Sequence, residues 1–385
     1  MNSKSIHPLV AEAKEFVDKS IRPYAGQFDV QGEVPKDVIQ AMADKGFLGS
    51  ILPVEYDGSG LDALTYGYLT EELGKGCNSV RTLLTVHTSL VGETLARLGT
   101  AFHKENYLTA IARGEKIACF ALSEPGVGTD ATAVQTSYVE DSDSFVINGR
   151  KKWISYAAIA DVFLVFASDS TGAVSAFLVD RVEGVSTIPM TGMLASRGSH
   201  IAEVFFDDVR VPKRNLVGRL GMGFSFVANT ALFYGRYSIA WAGVALAHAA
   251  VEEMATYART REQFGKKIGQ YQLVQGLIAD AVTSLHLARS MCEKVGRLRI
   301  ADDDQAIMET NIAKYFTSKA AMDITTNAVQ VFGGNGCWNI YPVERLFREA
   351  KVLEIIEGTS QIQQVMIAEF GINRYYRALS KVEHV

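Results

Sequence analysis

Cysteine and histidine are too few and too scattered in this sequence to build a metal site. The four cysteines stand at 77, 119, 292 and 337, with no CxxC pair, and the seven histidines form no HExxH. This excludes a zinc site by motif and a disulfide framework, and suits a reducing compartment. A basic excess is missing too: 38 Lys and Arg face 43 Asp and Glu, for a net charge of −5. A nucleic-acid binder would carry a basic face instead. Long apolar runs are absent. The longest, Ile239 to Val251, is interrupted by His248 and is too short for a bilayer. Glu12, Lys14, Glu15 and Asp18 fall where a signal peptide would need an apolar segment. The expectation is a cytoplasmic protein with no metal, no nucleic acid and no membrane partner.

Proline is scarce in a telling way. Seven of the eight prolines precede residue 213, and the last is Pro342. The stretch between is rich in Ala, Leu, Glu, Gln and Arg, with Ile239, Ala242, Leu246 and Ala250 at helical spacing, which predicts long packed helices. Shorter stripes, Leu9–Ala13–Phe16–Val17 and Val38–Ile39–Met42–Ala43, predict helices near the start. The middle reads as strands: the runs beginning at Ser144, Asp161, Val174 and Ala202 are β-branched and aromatic. Asn148-Gly149 and Asp207-Asp208 are read as turns bounding them. No helical pattern is interleaved, so a βαβ sheet is disfavoured. The fold class expected is α+β, mainly α. It comprises an N-terminal helical domain (1–117), a small antiparallel β-barrel-like domain (118–220) and a C-terminal four-helix bundle (221–385). No internal repeat or low-complexity segment is present.

Gly58-Ser-Gly-Leu-Asp-Ala63 formally fits a dinucleotide fingerprint, but no βαβ unit surrounds it; a loop is the better reading. Three other segments carry more. In Phe120-Ala-Leu-Ser-Glu-Pro-Gly-Val-Gly-Thr129-Asp130, a short strand runs into a Pro- and Gly-containing turn whose N–H groups could approach a ligand. In Lys151-Lys-Trp-Ile-Ser155, an indole and a hydroxyl could flank a planar ring, although a strand Trp is more often core. In Glu354-Ile-Ile-Glu357-Gly-Thr-Ser-Gln361, a carboxylate behind two isoleucines would be pushed toward neutrality, as a general base requires. The plain alternative is a surface Glu before a helix capped by Thr359 or Ser360.

Together with Arg261-Glu-Gln-Phe264-Gly, Tyr271-Gln272, Ala328-Val-Gln330-Val-Phe-Gly-Gly334-Asn-Gly and Tyr341-Pro-Val-Glu-Arg345, these segments give the sequence its resemblance to the acyl-CoA dehydrogenase family, over nearly its whole length. The resemblance implies an FAD-dependent oxidation of an acyl thioester. Glu357 would remove the α-proton while a hydride leaves the β-carbon for flavin N5. It places Phe120, Leu122, Ser123, Trp153 and Ser155 around the flavin ring, with Thr359 and Gln361 at the FAD linker. Arg261, Phe264, Gln272, Gln330 and Gly334 would hold the pyrophosphate and adenosine of a neighbouring subunit's FAD. Thr129, Arg236 and Gly358 fall on the substrate side. A homodimer or homotetramer and an electron-transfer flavoprotein are the implied partners.

Departures from the family pattern bear on substrate. Ile356 stands where Tyr is common, and Phe233 stands where an Asp near the pantetheine is common. Gly235 occupies the position from which some members supply their base, leaving Glu357 without a rival. Tyr234-Gly-Arg236, Ser238-Ile-Ala-Trp241 and Glu354–Gly358 are similar to a branch acting on carrier-protein thioesters in methoxymalonyl-type extender-unit biosynthesis. CoA and acyl-carrier-protein substrates therefore both stay open, as does oxidation of a hydroxylated acyl group. A non-catalytic or DNA-associated relative of the same fold would want a basic tail, and Leu379–Val385 is not basic.

Overall fold

The computed structural model describes residues 7–377, so the tail at 379–385 lies outside it. Helices α1 (Pro8–Phe16), α2 (Ala25–Gln31), α3 (Lys36–Asp44), α4 (Ala63–Gly76) and α5 (Asn78–Leu83) open the chain. Wide π-helical turns over Leu84–Glu93 continue α5 into α6 (Thr94–Leu98), followed by α7 (Ala101–His103) and α8 (Thr109–Ala112). Both predicted apolar stripes are there: Ala13 and Phe16 of α1, and Ile39 and Met42 of α3, are buried. The Gly58–Ala63 segment is a loop leading into α4, whose first turn is capped by Asp62 accepting from Thr65 N (2.8 Å).

Eight strands follow: β1 (Ala118–Ala121), β2 (Ser137–Asp141), β3 (Ser144–Ile154), β4 (Val162–Ser168), β5 (Val174–Asp180), β6 (Val185–Pro189), β7 (Ala202–Pro212) and β8 (Leu216–Val217). They form one sheet in the order β6-β7-β3-β2-β4-β5-β8, with β1 also on β4. Alternate residues of β4 and β5 face two separate cores. Leu164, Phe166, Ala176 and Leu178 pack with Leu95, Leu108 and Ile111, while Phe163, Val165, Phe177 and Val179 pack with Phe145, Val204 and Phe206. Burial on both faces explains why these strands read as unbroken apolar runs.

Two expectations need correction. The sheet is not wholly antiparallel, because β1 runs parallel to β4, and Ser137 of β2 pairs in parallel with Ser168. β1 enters at the end where β4 starts, held there by Ile117 N donating to Asp161 Oδ2 (2.7 Å). Nor are Asn148-Gly149 and Asp207-Asp208 turns. Both lie inside the long strands β3 and β7, where the register shifts between Ile147 and Gly149. Asn148 Nδ2 donates to Asp208 Oδ1 (2.9 Å) and its Oδ1 accepts from Asp208 N (2.8 Å), so the residues mark a bulge.

The remaining helices are α9 (Asn229–Thr260), α10 (Gln272–Ile300), α11 (Gln305–Phe332), α12 (Pro342–Leu353) and α13 (Ser360–Tyr375). The long unpunctuated region thus holds three helices of 28 to 32 residues. α12 and α13 complete the C-terminal helical domain by packing on α11. α9 is the central one, enclosed by α4, α10, α11 and the 84–93 stretch.

Candidate active site

The loop between α12 and α13 carries the candidate base. Glu357 and Gly358 both take positive φ, +56° and +91°, so the chain turns through two successive left-handed residues. For Glu357 that conformation costs about 1–2 kcal/mol and needs outside support. The loop closes on itself through Ser360 N donating to Glu354 O (2.8 Å), and Thr359 caps α13 by accepting from Ile362 N (3.3 Å). Helices α9 and α11 supply the rest. Arg236 Nε donates to Glu357 O (3.0 Å), and Lys314 Nζ donates to Gly358 O (2.7 Å). Gln363 Nε2 adds a longer bond to Glu357 O (3.4 Å), and Arg236 is steadied by Asn311 Oδ1 (3.2 Å).

The Glu357 side chain points back at α9. Its Oε2 is out of solvent and has no hydrogen-bond partner among the described residues. A Cβ built on Gly235 would lie 2.7 Å from that oxygen and 2.5 Å from Leu90 Cδ2, so only glycine leaves the carboxyl room. Burial pushes the Glu357 carboxyl up to about 7, although Arg236, Lys314 and Arg81 pull it down. A carboxylate titrating near neutrality with an unused oxygen can accept a proton from carbon.

The 84–93 stretch packs on α9 and on β1, the strand that carries Phe120. Its His87 sets the start of β1. His87 Nδ1 accepts from Ala118 N (3.0 Å), so the proton sits on Nε2, which donates to Ile111 O (2.9 Å). Burial drives this imidazole down to about 4, keeping it neutral. Phe120, on β1, meets Phe166 edge-on at 5.1 Å. Leu122 and Ser123 follow it, and Lys152 N donates to Ser123 O (3.0 Å), tying the loop to the strand end that carries Trp153 and Ser155. Trp153 has φ +60° and is 44% exposed, so its indole leaves the strand's regular alternation and stands in the open. Thr129 is exposed farther along the same loop, and no hydrogen bond among the described residues ties it to Glu357.

Thr359 and Gln361 line a hollow of about 180 Å³ together with Lys351, Glu354, Ile355 and Ser360. Ser360 Oγ is buried there without a partner among the described residues, an unfilled polar demand that suits a polar ligand. The third predicted group stands apart. Arg261, Phe264 (97% exposed), Gln272, Gln330 and Gly334 are all exposed. Tyr257 joins the end of α9, beside Arg261, to the end of α11, beside Gly334: its backbone O accepts from Arg261 N (2.8 Å), its ring stacks on Phe332 at 4.0 Å, and its hydroxyl accepts from Asn335 Nδ2 (2.8 Å). No hydrogen bond among the described residues joins this cluster to Glu357.

Comparison with known proteins decides the family. The acyl-CoA dehydrogenase N-terminal domain matches residues 4–115, the middle domain 119–209 and the C-terminal domain 221–372. The chain belongs to the acyl-CoA dehydrogenase family. It is 36% identical to a short-chain-specific acyl-CoA dehydrogenase of Clostridium acetobutylicum, over 92% of this chain and 94% of that one. It is also 36% identical to a 3-(aryl)acrylate reductase of Clostridium sporogenes, over 94% and 97%. Among solved structures, butyryl-CoA dehydrogenase of Megasphaera elsdenii superposes with a TM-score of 0.91 at 31% identity, covering 95% of this chain and 98% of that one. FkbI, for biosynthesis of the methoxymalonyl extender unit of the Fk520 polyketide, gives 0.87 at 31%, covering 94% and 99%. Members of the acyl-CoA dehydrogenase family are FAD-dependent oxidoreductases, and this chain is an enzyme of that kind.

Sequence reasoning missed several supports of this site. Lys314 and Asn311 lie three apart on α11, on its buried face. Lys151 is wholly buried, with its Nζ donating to Glu124 Oε1 (2.7 Å), Leu122 O (3.1 Å) and Phe166 O (2.6 Å). Glu124 in turn accepts from Gln135 N (2.7 Å) and Thr136 N (2.9 Å). Burial lowers the Lys151 ammonium to about 8, with Glu124 opposing the fall. For Lys314 the signal available was a charge placed where the pattern of α11 calls for an apolar residue.

Proposed function

We propose that the enzyme is a dehydrogenase of acyl thioesters, CoA- or carrier-protein-linked, with Glu357 as the base that takes the α-proton. The observation that carries this reading is the Glu357 carboxyl itself: strained, shielded from water, lacking a partner at one oxygen and titrating near 7. FAD, when bound, accepts the hydride from the β-carbon. The chain's residues then have three tasks. Phe120, Leu122, Ser123, Trp153 and Ser155 hold the ring, while Thr359 and Gln361 hold the linker. Arg261, Phe264, Gln272, Gln330 and Gly334 take the pyrophosphate and adenosine of a neighbouring subunit's cofactor, which their exposure in a single chain supports. Arg236 holds the base loop. The backbone N–H of Glu357 supplies a hydrogen bond to the thioester carbonyl as negative charge develops there; Gly358 and Thr129 lie on the substrate side. The division into residues 1–117, 118–220 and 221–385, a homodimer or homotetramer, a cytoplasmic location and an electron-transfer flavoprotein as electron acceptor belong to the same proposal.

A second reading, oxidation of a small hydroxylated acyl group on a carrier protein, draws support from FkbI and from Phe233 on α9, where an Asp is common in the family. Behind that helix Arg299 pairs with Glu93 and lies over the rings of Phe233, Tyr234 and Tyr237, and buried Ser238 Oγ bonds Thr85 Oγ1 (2.7 Å), so the packing behind Phe233 is polar. Mixing the yellow protein with a panel of acyl-CoAs and acyl-carrier proteins, following flavin bleaching and identifying products by mass spectrometry, separates the two. Glu357→Gln should bind FAD normally while losing about 10²–10⁴-fold in the rate of flavin reduction. Full turnover in that variant refutes the assigned base, and a protein that stays colourless with added FAD refutes the flavoenzyme reading.

A further inference from the structure

Lys314 has no exposed surface, yet its described hydrogen bond goes to a neutral acceptor, Gly358 O at 2.7 Å, and not to a carboxylate. Burying an ammonium without an ion-pair partner costs several kcal/mol and calls for a use of the charge. The charges acting on it are Glu357 and Glu354, which favour the ammonium, and Arg236, which opposes it. Three elements present cations to Glu357: Arg81 from α5, Arg236 from α9 and Lys314 from α11. Two of them are spread over other partners. Arg81 donates to Asn78, Thr82 and Thr85, and Arg236 to Glu357 O and Asn311. Arg236 divides its donors between the turn and α11, whereas the hydrogen bond described for Lys314 goes to the turn that carries the base. A bare hydrogen bond to Gly358 O could come from any neutral donor. A lysine adds a positive charge that reaches the carboxylate once it ionises, even though burial lowers this ammonium to about 8.

We infer that Lys314 is a positioning residue with two functions: it locks the left-handed Glu357–Gly358 turn through Gly358 O, and it is the counterion of the ionised Glu357 carboxylate. This rests on Glu357 being the base. Because Arg236 and, at 3.4 Å, Gln363 grip the neighbouring carbonyl, the turn keeps other anchors when Lys314 is replaced.

The test uses Lys314→Gln, which keeps a donor and removes the charge, and Lys314→Met, which removes both. The pH profile of flavin reduction by a thioester that the wild type accepts is measured for each FAD-loaded protein. Infrared difference spectra against Glu357→Gln follow the carboxyl stretch of Glu357 without substrate. In both variants the activity limb and the infrared titration should move up by about one pH unit, the effect of losing an adjacent opposite charge. Met should also lose more of the high-pH plateau than Gln. Folded, FAD-loaded variants whose limb and carboxyl titration stay where the wild type has them overturn the proposal. If Met does not fold, Gln alone decides it. Should the wild type reduce no flavin with any thioester, the functional reading fails, while the infrared titration still tests the counterion.

Discussion

A carboxyl that titrates near 7 in the folded chain works against the fold that holds it. Glu357 has an ordinary value of 4.5 and is raised to about 7 by burial. The folded state therefore binds its proton more tightly than the unfolded chain does. The contribution is most favourable below about 4.5, shrinks as pH rises to about 7, and is constant above. Replacing Glu357 by Gln removes that penalty, so the melting temperature of Glu357→Gln relative to wild type should rise between pH 5 and pH 7 and level off by pH 8. Scanning fluorimetry across that range checks it; a difference that stays flat or narrows with pH contradicts the raised titration. Much of this was legible in the residues alone. Two isoleucines before Glu357 and a glycine after it announced a desolvated carboxylate at a turn. The positive φ of Glu357 was not legible, since nothing in Ile356-Glu357-Gly358 distinguishes one left-handed residue from two.

Among the elements, the strand end that carries Trp153 depends on a buried ion pair. Lys151 and Glu124 have almost no exposed side-chain surface, and through Leu122 O and Phe166 O Lys151 ties the Leu122–Ser123 loop and β4 to β3. Lys151→Met leaves Glu124 charged and buried and should cost about 3–5 kcal/mol in chemical denaturation. Adding Glu124→Gln should recover part of that loss. A Lys151→Met protein as stable as wild type would mean that Glu124 is solvated. Strand identities were readable from β-branched runs because β4 and β5 are covered on both faces. Their ends were less so. Asn148-Gly149 has the composition of a hairpin turn, but its side chain pairs across to Asp208 and the strand continues, so a bulge passed for a turn. Lys151 was hidden for a related reason: a charge inside a strand reads as an outward-facing residue unless its partner, 27 positions earlier, is known.

Across the whole molecule, helical, then β, then helical order was written in proline spacing and residue periodicity, and the structure follows it. What a single chain leaves open is the exposed end of the bundle. Arg261 and Phe264 stand on a small hairpin after α9, beside the first turn of α10 and the last of α11, with little of their own chain to touch. Arg261→Ala should lower the FAD content of the purified protein and make it fall further on dilution, with an unchanged circular dichroism spectrum. Absorbance at flavin wavelengths after gel filtration at two concentrations reads this. Undiminished FAD would place the cofactor's phosphates elsewhere. Polarity alone could not have grouped these five residues, because sequence separations of up to 73 positions close only when α9 and α11 lie side by side.

Gly235 and Glu357 compete for one volume. A side chain at 235 would start within 2.7 Å of the carboxyl oxygen, so the two positions cannot both carry a carboxylate in this backbone. Relocating the proton acceptor from the α12–α13 loop to α9 is therefore a paired exchange. Its intermediates, with an acid at both places or at neither, are crowded or inert. A lineage that makes the move has to change both residues together or pass through an inactive ancestor.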